Sequence, residues 1–586
     1  MSVTFLRAAG RLALLTGFLL SCSGRLPNTA VSDDAAERGY SGLNAATPIA
    51  ALIRERGIET LDPSSATPLL EQVRRELAKS DPAGTYAGVT YDLTRGNTLP
   101  KDWLVQSPAR WGHRADDLPF YPLECKGCEP DVLLPSCDSD ADCLNGGACR
   151  AVWPALGAPR RTSRKVCFGH SDSLVLPIHD LIVRARRSVD IGVLQPAPGT
   201  RFLGTLRAAL DELAASGRPV EVRLLIGQYP PAGSDAAATL ATLVADFGRF
   251  PQARLRVSVG ALRTCTALDP CDSFSWPHAK FISVDGRAAL VGGHNLWSED
   301  YLVDAPVHDL SMLIEGPAAA SASRFVDRLW LFVCSNVGKG TAIQWARYPE
   351  DPAAPCPAVA ATVEQRRSHG TAVLAVGRLA AGITTDFANQ SELARDLVLG
   401  AARNTVFISQ QDFAFTLGRA APIYPESTIE RLIDFIDQRD GQVYIVLSNL
   451  GAVGNSGSTY SNGVSLAVFA HHLQEVARRR TGHAMDDRLC RNLHLAPLRF
   501  GPDAAWPRGR AIANHAKLWM VDERIFYIGS DNFYPVNLQE LGYVVDDRKA
   551  AAQLVEAYWR PLWQWSSAAA VSGEEARTCI FREPTK

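Results

Sequence analysis

Apolar and polar positions along this chain fall into one succession twice. Residues 188–194 and 220–226 are short apolar runs rich in β-branched side chains, which predict buried strands; between them, 202–216 places apolar residues at helical spacing. A further helix and a strand at 255–259 complete the series. The later chain repeats the order, with strand 405–409, helix 429–438, strand 443–447, helix 466–480 and strand 493–496. Strands alternating with helices predict an α/β fold, and a series that recurs predicts duplication. The expected architecture is therefore two duplicated α/β/α sandwich halves packed about a pseudo-twofold. A helix over 317–336 and a less regular stretch, 338–375, would join them. Near the start, 47–79 predicts two helices, preceded by a small, polar tether.

Each half ends in a near copy of the same stretch. The first reads Trp276-Pro-His278-Ala-Lys280-Phe-Ile-Ser-Val-Asp285, then Gly292-Gly293-His-Asn295-Leu-Trp297. The second reads Asn514-His515-Ala-Lys517-Leu-Trp-Met-Val-Asp522, then Gly529-Ser530-Asp-Asn532. A lone His-x-Lys says nothing; two copies that share every spacing are hard to reach by accident. Histidine and lysine two apart on a strand point to one face. Face-to-face halves would bring two imidazoles, two ammonium groups and the amides of Asn295 and Asn532 to one pocket. That set suits a phosphodiester: lysine and asparagine donate to the non-bridging oxygens, one imidazole attacks phosphorus and the other protonates the leaving oxygen. Nothing in it resembles a metal cage, and no cofactor is implied. Neither is a Ser-His-Asp hydrolase, since no Gly-x-Ser-x-Gly elbow stands in a strand–turn–helix setting.

At these residues the chain resembles the phospholipase D superfamily, and more narrowly the secreted bacterial, streptomycete-type enzymes. Asp102-Trp103-Leu-Val-Gln-Ser-Pro, Trp297-Ser-Glu-Asp-Tyr301-Leu, Ile408-Ser-Gln-Gln-Asp412 and Gly451-Ala-Val-Gly454 extend the likeness. The resemblance implies the phospholipase D fold and hydrolysis of phosphatidylcholine-type lipids through a phosphohistidine, with headgroup exchange alongside; the alternative is a related phosphatidyltransferase or nuclease acting on another diester. It implies His278 as nucleophile and His515 as general acid, Asp309 behind the first histidine, and Glu540, where these enzymes usually carry Asp, behind the second. Trp297, Tyr301 and Tyr460 match a choline pocket, where a quaternary ammonium on an aromatic face gains about 0.5–2 kcal/mol per contact. Asp285 and Asp522 are expected to brace strand ends, with Gly292, Gly293, Gly529 and Ser530 supporting the motif. His170, His294, His471 and His472 read as structural or solvated. Loops 413–427 and 451–463 carry a few apolar residues suited to meeting lipid.

The 586 residues, 46% hydrophobic and 21% charged, suit two packed domains. A formal net charge of −2 without a basic run argues against nucleic acid as partner. The expected partner is phospholipid at a membrane surface, met by a monomer. Residues 1–22 read as a secretory signal too short to span a bilayer, and Leu-Leu-Ser-Cys22 resembles a lipobox. Export, either secreted or lipid-anchored to the bacterial envelope, makes the other cysteines candidates for disulfides. Six of them (Cys125, Cys128, Cys137, Cys143, Cys149 and Cys167) crowd an insert over 125–167 whose expected chemistry is a disulfide knot rather than a zinc site. Cys265–Cys271 would close a small loop; Cys490–Cys579 and Cys334–Cys356 are the remaining pairs, the latter supported by the resemblance. The expected division is 1–22 signal, 23–80 tether and helices, 81–357 first half with its insert, and 358–586 second half.

Overall fold

The computed structural model describes residues 49–122, 134–152, 164–195, 201–228, 233–264, 275–338, 342–351, 353, 355–357, 370–380, 382–384, 388–416 and 421–582. The signal and tether, Cys125, Cys128, Cys265 and Cys271 lie outside the described residues.

Two eight-stranded sheets carry the fold. The first runs Ile343–Tyr348, Arg256–Leu262, Glu221–Gly227, Ser188–Val193, Lys280–Val284, Ala288–Gly292, Asp309–Glu315, Leu104–Ser107. The second, from its matching edge, runs Leu493–Pro497, Gln442–Leu447, Thr405–Ser409, Leu518–Val521, Ile525–Gly529, Glu540–Asp546, Thr371–Arg378, Tyr91–Asn97. Dropping one edge strand from each leaves seven strands in one order. The three leading strands are parallel and the rest antiparallel in both sheets. The parallel strands are the near-continuous apolar runs of the sequence, because helices cover both their faces.

Three features differ from the sequence reading. The stretch 338–375 contains strand Ile343–Tyr348 and most of strand Thr371–Arg378, both pairing antiparallel to their neighbours. Tyr91–Asn97 stands before the first half in sequence, yet pairs with Thr371–Arg378 at the edge of the second sheet. Helices Gln390–Gly400, Arg548–Leu554 and Arg560–Ser566 add to the second half beyond the elements that periodicity marks.

Helix Ala318–Asn336 lies between the sheets, touching strands of both. Its first turns are Ala and Ser, which allow close approach, while Phe325, Leu329 and Trp330 are fully buried. One hydrophobic core runs through both halves as a result. The cysteines form Cys137–Cys149 and Cys143–Cys167 within the insert, and Cys334–Cys356 and Cys490–Cys579 elsewhere.

Candidate functional site

Each His-x-Lys stands where an antiparallel hairpin enters the sheet. Strand Lys280–Val284 turns through Asp285 and Gly286, both at positive φ, and strand Leu518–Val521 turns through Asp522 and Glu523 in the same conformation. Asp-Gly favours such a two-residue turn. The Asp285 carboxylate accepts backbone N–H groups of Arg186, Arg187 and Ser188 at 2.9, 2.7 and 2.9 Å. Asp522 does the same for Arg403, Asn404 and Thr405, at 3.0, 2.7 and 3.0 Å. The motif aspartates thus tie the hairpin to the start of the neighbouring strand, far from the imidazoles.

At the other end, Lys280 Nζ donates to the His278 carbonyl at 2.6 Å and Lys517 Nζ to the His515 carbonyl at 2.5 Å. The two imidazoles face each other across the junction of the halves, ring centroids 6.5 Å apart and planes at 82°. Both line one cavity of about 210 Å³ together with Asn295. Asn295 Oδ1 and both polar atoms of the Asn532 amide are buried and hydrogen-bond to no group among the described residues.

The carboxylates are exchanged between the halves, a correction to the expected pairing. Asp309 Oδ2 accepts from His515 Nδ1 at 2.6 Å, and Glu540 Oε1 accepts from His278 Nδ1 at 2.8 Å. Backbone pairing dictates this. His308 bridges Asn514 and Pro277 bridges Gln539, so the segment entering each His-x-Lys runs beside the start of the other half's carboxylate strand. His515 N–H donates to the His308 carbonyl, and His278 N–H to that of Gln539. The extra methylene of Glu540 is accommodated, and its second oxygen accepts from the Ser530 hydroxyl. In the first half Gly293 occupies the position equivalent to Ser530. A Cβ there would stand 2.0 Å from Asp309 Oδ1, so glycine is required by the close approach.

Tyr301 is also placed differently from expectation. It is fully buried, and its hydroxyl donates to Asp309 Oδ2 at 2.8 Å and accepts from the Asn295 backbone N–H. It stands behind His515 and not among the cavity-lining side chains. Tyr460 and Trp297 do line the cavity; the Tyr460 ring meets His515 edge-on at 4.9 Å, and its hydroxyl donates to buried Asp300 at 2.6 Å. Asp300 also accepts the Ser456 N–H and hydroxyl, each at 2.8 Å, which fastens the 451–463 loop to the first half. Trp276, Phe415 and Tyr534 complete the aromatic wall, and among the described residues no Asp, Glu, Lys or Arg lines the cavity. Sequence reasoning missed these three aromatics and Asp300; only Trp276, two residues before His278, carried a positional hint.

Burial governs the charge states. It pulls His278 down to about 4, against Glu540 and assisted by Lys280. It holds His515 well below the ordinary imidazole value, with Lys517 and Lys280 adding to the effect. Lys517 is brought down to about 8 by burial, against Asp309 and Glu540, and Lys280 is also strongly lowered, again chiefly by burial. Burial opposes ionisation of Glu540, but His278 and then Arg378 hold its carboxyl below the usual range. The pocket therefore holds neutral imidazoles, each with Nδ1–H fixed on a carboxylate and Nε2 left for chemistry. An anion entering between the imidazoles would favour protonation of the groups around it. Such a pocket can attack a phosphorus centre from one side and protonate a leaving oxygen on the other.

The sequence is similar to that of a known enzyme. Phospholipase D of Streptomyces antibioticus is 29% identical over 557 residues, covering 86% of this chain and 89% of the relative. No protein-family model matches the chain. Among solved structures, phosphatidylserine synthase of Haemophilus influenzae Rd KW20 aligns with 67% of this chain and 85% of its own, at 14% identity and a TM-score of 0.44.

Proposed function

We propose that this chain, a phosphodiesterase that belongs to the phospholipase D superfamily, is exported and hydrolyses phosphatidylcholine-type lipids at a membrane surface. The observation that carries the reading is the pair of carboxylate-backed imidazoles, 6.5 Å between centroids, on one cavity. In the first step His278 Nε2 attacks phosphorus, the bond to the headgroup oxygen breaks, and His515 gives that oxygen its proton. In the second, His515 takes a proton from water, which attacks the phosphohistidine; phosphatidic acid leaves and His278 is free again. An alcohol in place of water gives headgroup exchange by the same route. Asn295, on the cavity wall, donates to the non-bridging oxygens, where charge develops, and the ammonium groups of Lys280 and Lys517, buried behind that wall with Asn532, stabilise the same charge through space.

The headgroup reading rests on the cavity wall. Trp276, Trp297, Phe415, Tyr460 and Tyr534 surround a space with no carboxylate among its described lining groups. A quaternary ammonium is held by ring faces and needs no carboxylate partner, which this wall suits. Export is supported by the disulfides among the described residues, since such bonds persist in oxidising compartments. The chain acts alone, on lipid and not on nucleic acid.

The test is choline release from phosphatidylcholine vesicles, run beside phosphatidylglycerol vesicles and single-stranded DNA, with acid-quench trapping of ³²P-labelled protein. Expected are choline release that survives EDTA, a label mapped to His278, phosphatidylethanol when ethanol is added, and no turnover by folded His278→Ala or His515→Ala. Cleavage of DNA without lipid turnover would overturn the proposal.

A further inference from the structure

The two imidazole–carboxylate pairs look equivalent at short range and differ one layer further out. Behind His515, Asp309 receives, among the described residues, only neutral donors besides the imidazole: the Tyr301 hydroxyl at 2.8 Å and the Leu310 N–H at 2.8 Å. Among the described residues no Arg or Lys lies within ion-pair distance of Asp309. Behind His278, Glu540 has a cation. The Arg378 guanidinium, buried like its neighbours, holds Asp531 at 2.8 Å and has Nη2 3.7 Å from Glu540 Oε1. Its Nε donates to the Leu538 carbonyl at 2.9 Å, two residues before Glu540, which fixes the guanidinium in place.

We propose that Arg378 decides which imidazole attacks phosphorus: its fixed positive charge withholds a proton from the His278–Glu540 pair, so the proton taken up when substrate binds goes to His515–Asp309. The inference rests on the two-histidine reading above and deepens it. Both imidazoles feel the same cations, Lys280 and Lys517, and each feels the other, while His294, which acts on His515 alone, is kept neutral by burial. Those groups therefore cannot separate the two pairs as strongly as a charge set behind only one of them. Arg378 is in turn shared with Asp531 and with Glu392 at 3.9 Å, and Arg395 lies 3.8 Å from Asp531, so the cluster keeps a cation facing Glu540 without being an isolated buried charge. Arg378 touches neither imidazole and acts through Glu540; it is a positioning residue. Two coupled groups titrate as a unit, and removing a nearby cation raises the proton affinity of that unit whichever member holds the proton.

The test is the acidic limb of kcat/KM against pH for the full-length protein, on phosphatidylcholine vesicles, because that limb reports the free enzyme. Arg378→Gln should move the limb upward by about one to three pH units, the usual effect of an opposite charge at this range. Arg378→Lys, which restores the cation, should bring the limb back to within about half a unit of the parent. A merely structural role would lower activity at every pH and leave the limb in place, and that result overturns the proposal. If Arg378→Gln does not fold, Arg378→Met keeps the stem's packing and reads the same limb; an equal shift in Arg378→Lys and Arg378→Met also overturns it. The two-histidine reading fails separately, if folded His278→Ala or His515→Ala retains turnover.

Discussion

Replacing Asp309 by Asn separates the two imidazoles in a way that their similar surroundings do not. The substitution keeps an oxygen near His515 Nδ1, now 2.6 Å from the carboxylate, and removes the charge. Asp309 is fully buried, so little solvent compensates. Two unit charges about 4 Å apart are worth about 4 kcal/mol at an effective dielectric of 20. Loss of that support for the imidazolium should slow a step that uses His515 as acid by roughly 10²–10³-fold. The assay compares kcat/KM on phosphatidylcholine with kcat/KM on phosphatidyl-p-nitrophenol, whose phenolate leaves without a proton. With choline as leaving group the full loss is expected; with nitrophenol the loss should be under about tenfold, since only attack by His278 remains. A burst of nitrophenolate should follow, with phosphoenzyme accumulating because its breakdown needs His515 as base. Glu540→Gln should instead slow both substrates together. Equal losses for Asp309→Asn, with nitrophenol spared in Glu540→Gln, would refute the assignment of the acid.

Other consequences can be checked more simply. Tyr301→Phe removes a hydroxyl donated to a carboxylate at 2.8 Å, a bond worth about 1.5–3 kcal/mol, so kcat should fall roughly tenfold to a hundredfold while the preference for phosphatidylcholine over phosphatidylglycerol stays fixed; an altered preference would return Tyr301 to the headgroup wall. Burial pushes the Asp412 carboxyl up to about 8, against the Asn462 N–H. Its folded value lies above its unfolded one, so its stability contribution is present below the unfolded value near 3.8 and is lost as pH rises to about 8. Asp412→Asn should therefore raise the unfolding midpoint by an amount that grows over that range, and a gain that shrinks with rising pH would contradict the sign. Cys490→Ala opens a bridge spanning 89 residues, and urea unfolding should show a loss of about 2–5 kcal/mol; a loss near zero would mean that the C-terminal tail is held by packing alone.

The legible part of this molecule is local. Period and length mark the strands at 188–193, 221–227, 405–409 and 442–447 and the helices between them, because each lies in a parallel layer buried on both faces and must be continuously apolar. The paired His-x-Lys stretches are legible for a related reason: the same hairpin, turn and carboxylate brace are built twice. What escapes is set by partners distant in sequence. Arg378 ends an apolar strand that begins inside a stretch without clear period, and nothing within ten residues announces Glu540 as its neighbour. Trp276, Phe415 and Tyr534 meet only where the halves join.

The exchanged carboxylates show why spacing alone misassigns them. Asp309 follows His278 in the chain and belongs to the same sheet, so the nearer pairing is the natural one to read. Within that sheet, however, strand Ala288–Gly292 stands between strands Lys280–Val284 and Asp309–Glu315. Asp309 instead begins a strand that reaches the junction, where the bridge between His308 and Asn514 carries it to an imidazole 206 residues away. The bridge between Pro277 and Gln539 likewise takes Glu540 to His278 across 262 residues. Neither half then owns a complete acid–base unit: each supplies an imidazole without its carboxylate and a carboxylate without its imidazole. Because one hydrophobic core also runs through both halves, the packing that closes the core is the packing that assembles the pairs. A shift of one sheet against the other lengthens both imidazole–carboxylate contacts at once, which ties the chemistry of this site to the junction more tightly than to either repeat.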